Sequence, residues 1–330
     1  MATCIFRSPL AHRLQSFLEL RNASGRKQAG DHRILRYLDR FLTAELRPGQ
    51  AVTRDVVDRW VAGMAHLAVG TRINRLSVMR QFCAYQGHFD SRTCIVHRMF
   101  FPDRTRVAPH IYSARDVRNI MAAALELGPP RGLRPDAVAT LIGLLYATGL
   151  RISEALNLTL ADVDLRRRLL TVRETKFNKS RYVPVSAPTV RHLREFLLKR
   201  KRKGFTQDSE ARVFVNRRGR AYGHSGIYTI FLEITRKLGL RGPKGQPGPR
   251  LHDFRHTFAV NRLLAWYRGG ENVQAKLPLL STYLGHTSVT CTEVYLHATA
   301  ELLESAGKRF HDHFVIPSIS RKGGIHEKTK

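Results

Sequence analysis

Acidic residues are scarce in this chain: 26 Asp plus Glu stand against 56 Lys plus Arg among 330 residues, a formal charge of +30. That excess argues against an ordinary enzyme of small neutral metabolites and calls for a polyanionic partner, either nucleic acid or an anionic membrane. Long apolar runs are missing as well. No stretch approaches the roughly 18–20 residues that span a bilayer, and the opening Met1-Ala2-Thr3-Cys4-Ile5-Phe6-Arg7 lacks the apolar core of a signal peptide. The expectation is therefore nucleic acid and no membrane. The 4 cysteines, Cys4, Cys83, Cys94 and Cys291, show no Cys-x-x-Cys spacing, which argues against a zinc site or a disulfide framework and for a reducing cytoplasm. Internal repeats are absent too.

What is present is a foldable chain. Hydrophobic residues make up 43%, enough for real cores, and the length suits about two domains. Over the first hundred residues apolar positions recur at three and four: Ile34, Leu35, Leu38, Phe41, Leu42; Val56, Val57, Trp60, Met64; Ile73, Leu76, Met79, Phe82. This predicts a bundle of three or four helices over residues 1–101. Arg33, Arg36, Arg40, Arg54, Arg59, Arg72, Arg75 and Arg80 lie between those positions and read as a phosphate-binding face. Residues 102–112 read as a linker: Pro102 and Pro109 keep it extended, and Arg104 and Arg106 would track a DNA backbone. Ser113 then caps a helix running through Met121.

A second domain, 113–316, is mainly α with a small β-sheet. Helices are expected over 137–148, stopping at Gly149, and over 189–203, 225–238, 251–266, 279–284, 289–296 and 299–310. Short strands over 169–173 and 181–185 form a hairpin with Lys176 in its turn, and 213–215 reads as another strand. Residues 241–250 form a basic loop, and 317–330 a disordered basic tail.

The chemistry gathers in this second half. His252-Asp253-Phe254-Arg255 sets His252 and Arg255 three apart in the first turn of a helix, where free N–H groups and the dipole favour an anion. Arg255 can grip two phosphate oxygens. His252 and His256, four apart, have the spacing of a metal pair, but no glutamate lies between them and no third ligand is evident. His256 reads as a packed or capping histidine, Glu154 as an orienting partner for a cation, and Cys291 as packing. Tyr295 lies nine residues after His286, with Arg151 in Ala-Thr-Gly-Leu-Arg-Ile-Ser-Glu and Lys176 in Thr-Lys-Phe-Asn-Lys-Ser-Arg upstream. A phenol, several cations and two imidazoles, without clustered carboxylates, suit metal-free attack on a phosphodiester.

In this order the boxes resemble the tyrosine recombinase (integrase) family. They are Thr148-Gly149-Leu150-Arg151-Ile152-Ser153-Glu154, Lys176, His252-Asp253-Phe254-Arg255-His256-Thr257-Phe258-Ala259, Leu284-Gly285-His286 and Tyr295. The resemblance is specific over about 137–296 and looser at 71–85, which looks like the last helix of the family's core-binding domain. Phe254 stands where the family often has leucine, and Phe177 where it often has glycine. The resemblance implies an N-terminal core-binding domain and a C-terminal catalytic domain. It also implies a prokaryotic, nucleoid-associated enzyme acting on double-stranded DNA without metal or other cofactor. Tyr295 would be the nucleophile, Arg151, Arg255 and His286 would stabilise the phosphorane, Lys176 would protonate the leaving oxygen, and His252 would take the tyrosine proton or bind phosphate. Lys179 competes with Lys176 in the same turn.

DNA contacts are expected from Arg72, Arg75, Arg80, Arg104, Arg106, Lys179, Arg181, Lys244 and Arg250. The expected assembly is a synaptic homotetramer, with sister recombinases or accessory proteins as further partners, and the helix 299–310 docking on a neighbour or packing in cis. Two other readings stand beside strand exchange: a type IB topoisomerase-like relaxing enzyme, and a non-catalytic DNA-binding protein derived from a recombinase.

Overall fold

The computed structural model describes residues 5–24, 29–97, 108–128, 132–173, 180–243, 245–286, 288–297 and 304. Lys176, Lys179, Arg104, Arg106, Lys244, the helix expected over 299–310 and the tail over 317–330 lie outside them. The chain divides into two compact units, one running up to residue 107 and one from residue 108.

The first unit is four helices: α1 (Ala11–Ala23), α2 (Ala29–Glu45), α3 (Arg54–Ala62) and α4 (Val69–Gly87). The apolar positions read from the sequence form its core, with Leu35, Leu38, Leu42, Val56, Val57, Trp60, Met79 and Phe82 buried. Helix α1 was not marked by periodicity, since it offers only the short set Leu14, Phe17 and Leu18, yet Phe17 packs edge-on to Phe82 at 5.7 Å. Ile73 turns outward instead of inward. Of the arginines read as a phosphate face, Arg54 pairs with Asp58 and Arg59 with Glu45, so those two are partly neutralised within the unit. Arg75 lies over the Tyr37 ring at 4.2 Å.

The second unit starts at residue 108, inside the linker expected over 102–112. Tyr112 is buried, stacks on Phe254 at 4.3 Å, donates its N–H to Thr257 Oγ1 and its hydroxyl to the Arg250 carbonyl. Ser113 caps α5 (Ala114–Leu125) in a reciprocal box with Asp116. Helix α6 (Arg134–Thr148) is apolar on nearly every face, as a helix sunk among α5, α8 and α10 must be. It ends at Gly149, whose φ of 63° is left-handed. The short α7 (Ile152–Asn157) follows.

Strands β1 (Val163–Asp164), β2 (Leu169–Val172) and β3 (Arg181–Pro184) form an antiparallel sheet in that order, with Leu170 opposite Val183. Then come α8 (Ala187–Arg202), α9 (His224–Lys237), α10 (Asp253–Arg268), α11 (Val273–Leu284), α12 (Thr290–Glu293) and a 3-10 turn (Val294–His297). The strand expected at 213–215 is not one. These residues are buried, but Val215 and the preceding Arg212 make only isolated bridges, to Ala221 and Thr159, that do not run on into a ladder. Helix α10 starts at Asp253, which leaves His252 as its N-cap residue.

Candidate active site

Four chain segments build the site. The Gly149 turn hands the chain to Arg151, the N-cap residue of α7. Glu154, one turn on, accepts the Arg151 backbone N–H at 2.9 Å and Arg151 Nη1 at 2.7 Å. Arg151 Nη2 then donates to the Gly285 carbonyl at 3.0 Å. From the first turn of α10, Arg255 enters fully buried at 1% exposure and donates Nη1 to the Gly149 carbonyl and Nη2 to the Leu284 carbonyl, at 2.9 and 2.5 Å.

The end of α11 is the common anchor. The carbonyls of Tyr283, Leu284 and Gly285 accept from Arg181, Arg255 and Arg151 respectively. A helix C-terminus leaves its last carbonyls free and carries partial negative charge, so three cations there satisfy both demands. Gly285, with φ 67°, makes the turn that aims His286 back at the site.

His286 is half-buried, and its Nδ1 lies 2.8 Å from the Thr292 hydroxyl, which holds the ring in one orientation. Tyr295 is 3% exposed. Its ring lies 6.1 Å from the His286 ring and 5.3 Å, edge-on, from His256, which meets His252 at 4.9 Å. The cations that act on the phenol are Arg255 first and Arg151 second.

Burial raises the Tyr295 phenol above its ordinary value, although Arg255 and Arg151 pull against it. Burial and the facing charge of Arg151 lower Arg255 to about 10, which leaves it cationic at neutral pH. Burial and the cations Arg255 and Arg151 lower His286 to about 4. His252 keeps solvent contact, yet the protein crowding its ring, then His256 and Arg255, lower it to about 4 as well. Burial pushes Glu154 up, but Arg181 and then Arg151 outweigh it and hold the carboxyl below the usual range. At pH 7 the site is thus two neutral imidazoles, a neutral phenol and arginines in excess of carboxylate, which suits binding a tetrahedral anion beside a phenolic oxygen.

Arg151, His252, Arg255, His286 and Tyr295 come together as read from the sequence; Lys176 lies outside the described residues. Arg181 is corrected. Instead of facing DNA it is turned inward, because Glu154 and the Tyr283 carbonyl take its donors. Arg250 keeps an exposed side chain but is paired with Asp253. Cys291 is exposed instead of packed. Arg72, Arg75 and Arg80 stand on α4 of the first unit. Thr292 and the three α11 carbonyls went unnoticed in the sequence. Thr292 sits one turn before Tyr295, but nothing in a threonine's spacing signals a bond to a ring six residues back.

A helical domain with a three-stranded sheet that sets a tyrosine beside arginines and histidines is the architecture of tyrosine recombinases. The phage integrase family model matches residues 112–301, and the chain belongs to that family. It is 37% identical to the integrase/recombinase y4rB of Sinorhizobium fredii (strain NBRC 101917 / NGR234), over 90% of this chain and 95% of that protein. It is 24% identical to tyrosine recombinase XerD of Halalkalibacterium halodurans, over 81% of this chain and 84% of that one. Among solved structures, the Tn1549 transposon integrase in complex with transposon right end DNA shares the fold, with a TM-score of 0.65 at 19% identity over 92% of this chain and 99% of the other.

Proposed function

We propose that the protein is a site-specific DNA recombinase that cuts and rejoins duplex DNA through a 3′-phosphotyrosyl intermediate. The observation that carries this reading is the buried Tyr295 ring beside His286 and His256, with Arg255 and Arg151 anchored to one helix end. In the reaction the Tyr295 oxygen forms a bond to the scissile phosphorus and the bond from phosphorus to the 5′-oxygen breaks. The phenolic proton passes to neutral His252, directly or through water, and Lys176 protonates the departing 5′-oxygen. Arg151, Arg255 and His286 face the added negative charge of the phosphorane, each such donor being worth roughly 2.7–4 kcal/mol. The tyrosyl ester retains the energy of the broken bond, so rejoining needs no external source.

Exchange between two duplexes needs two pairs of cuts, which fits four protomers on two DNA segments, in the cytoplasm of a prokaryote. The DNA in the Tn1549 integrase complex and the integrase/recombinase name of y4rB support a mobile-element substrate. The test is incubation with nicked suicide duplexes taken from the flanks of the gene. A covalent protein–DNA band is expected with the wild-type chain and not with Tyr295→Phe. Absence of a band on every flank would return the protein to the non-catalytic class; supercoil relaxation by a monomer without exchange would make it topoisomerase-like.

A further inference from the structure

Arg181 lies on β3, and its side chain is only 12% exposed. Its donors are committed. Nη1 and Nη2 meet the two oxygens of Glu154 at 3.1 and 2.9 Å, and Nε meets the Tyr283 carbonyl at 2.8 Å. Glu154 takes the backbone N–H and Nη1 of Arg151 on the same two oxygens. A carboxylate held by one side chain keeps a rotational freedom; one gripped on both oxygens by a second planar fork does not. Gly285 completes the seat, since a Cβ there would stand 2.7 Å from Arg181 Nη1.

The charge balance points the same way. Arg151 with Glu154 alone is a neutral pair, a poor start for holding a phosphate. Adding Arg181 leaves one positive charge on the cluster. Removing it would leave the buried carboxylate to draw more heavily on Arg151.

We propose that Arg181 is a positioning residue for strand cleavage: it fixes Glu154 so that Glu154 aims Arg151 at the scissile phosphate, and it offsets the charge of Glu154 so that Arg151 keeps its field. The proposal rests on the reading of Arg151 as a phosphate ligand given above.

The test uses the full chain as wild type, R181K, R181Q, E154Q and E154Q/R181Q. Single-turnover cleavage is measured at saturating concentrations of whichever flank duplex the wild type cuts, at a temperature where circular dichroism shows all variants folded. R181K is expected to cut about 100-fold more slowly, the scale of a small misplacement of reacting groups, with DNA affinity unchanged. E154Q/R181Q is expected to be no slower than the slower single variant, because the two act in series. A folded R181K that cuts at the wild-type rate overturns the proposal. So does an R181K that binds DNA more weakly with a salt slope smaller by about one, the mark of a direct phosphate contact.

A second measurement needs no DNA. In 15N-arginine-labelled protein, the Arg151 Nη signals, identified by their loss in R151K, are expected to be separate in wild type and averaged in R181K. Separate signals in R181K overturn the proposal even if no flank is cleaved, whereas a silent wild type counts only against the recombinase reading.

Discussion

Replacing Gly149 with alanine separates two costs that usually arrive together. The residue is left-handed, φ 63°, and a Cβ would stand 2.7 Å from Phe258 Cδ1 and 3.1 Å from Leu284 Cδ2. The backbone conformation alone costs an alanine about 1–2 kcal/mol. Forcing apart two packed side chains adds about 1–3 kcal/mol. Gly239 supplies the control: it also follows a helix with a left-handed φ, 68°, but a Cβ there meets nothing within 4 Å. Gly239→Ala should therefore lose only the backbone part, and Gly149→Ala about 2–5 kcal/mol in all. The chain has 2 tryptophans. In a Trp60→Phe background the urea transition of the second unit is reported by Trp266 fluorescence alone. Gly149→Ala carries a further effect, because its carbonyl holds Arg255 Nη1. Its cleavage rate should fall while that of Gly239→Ala does not. Equal midpoint shifts for the two variants would refute the reasoning that packing against Phe258 and Leu284 makes glycine obligatory at 149.

Arg255→Gln should destabilise the second unit by about 1–3 kcal/mol for each buried carbonyl left without a donor, at Gly149 and Leu284. Urea melts measure the stability loss, and cleavage should be lost in the folded fraction. Acid should weaken the unit through its histidines. His286 has a folded value of about 4 against about 6.5 for a free imidazole, so below pH 6.5 the unfolded chain takes up the proton first. Its contribution is whole above pH 6.5 and lost as pH falls toward 4, roughly 1–2 kcal/mol after solvent screening. His252 adds in the same direction. Urea midpoints measured from pH 7 to 4.5 should fall, and His286→Gln should flatten that slope.

Much of this was legible because it is written in local pattern. Helices α2, α3 and α4 follow from recurring apolar positions, and the end of α6 follows from Gly149, since only glycine enters a left-handed turn cheaply. The cations and the tyrosine were legible as residue types in order. What each arginine bonds to was not. Arg181 and Arg151 are both arginines in polar stretches, and the difference between a DNA contact and an inward brace depends on where the α11 carbonyls fall, about a hundred residues later. The 213–215 segment has strand-like composition, but whether its pairing extends beyond single bridges is a tertiary fact. The helix expected from 251 begins two residues on, at Asp253, an ordinary uncertainty of helix starts.

The last turn of α11 touches the machinery at three successive carbonyls, and each receives a different arginine. Errors in the site are therefore correlated. A displacement of this one helix end carries Arg151, Arg181 and Arg255 with it and swings His286 at the same time. One helix end thus sets the position of three guanidinium groups at once, and a substitution in the last turn of α11 would reach all of them without touching any of them.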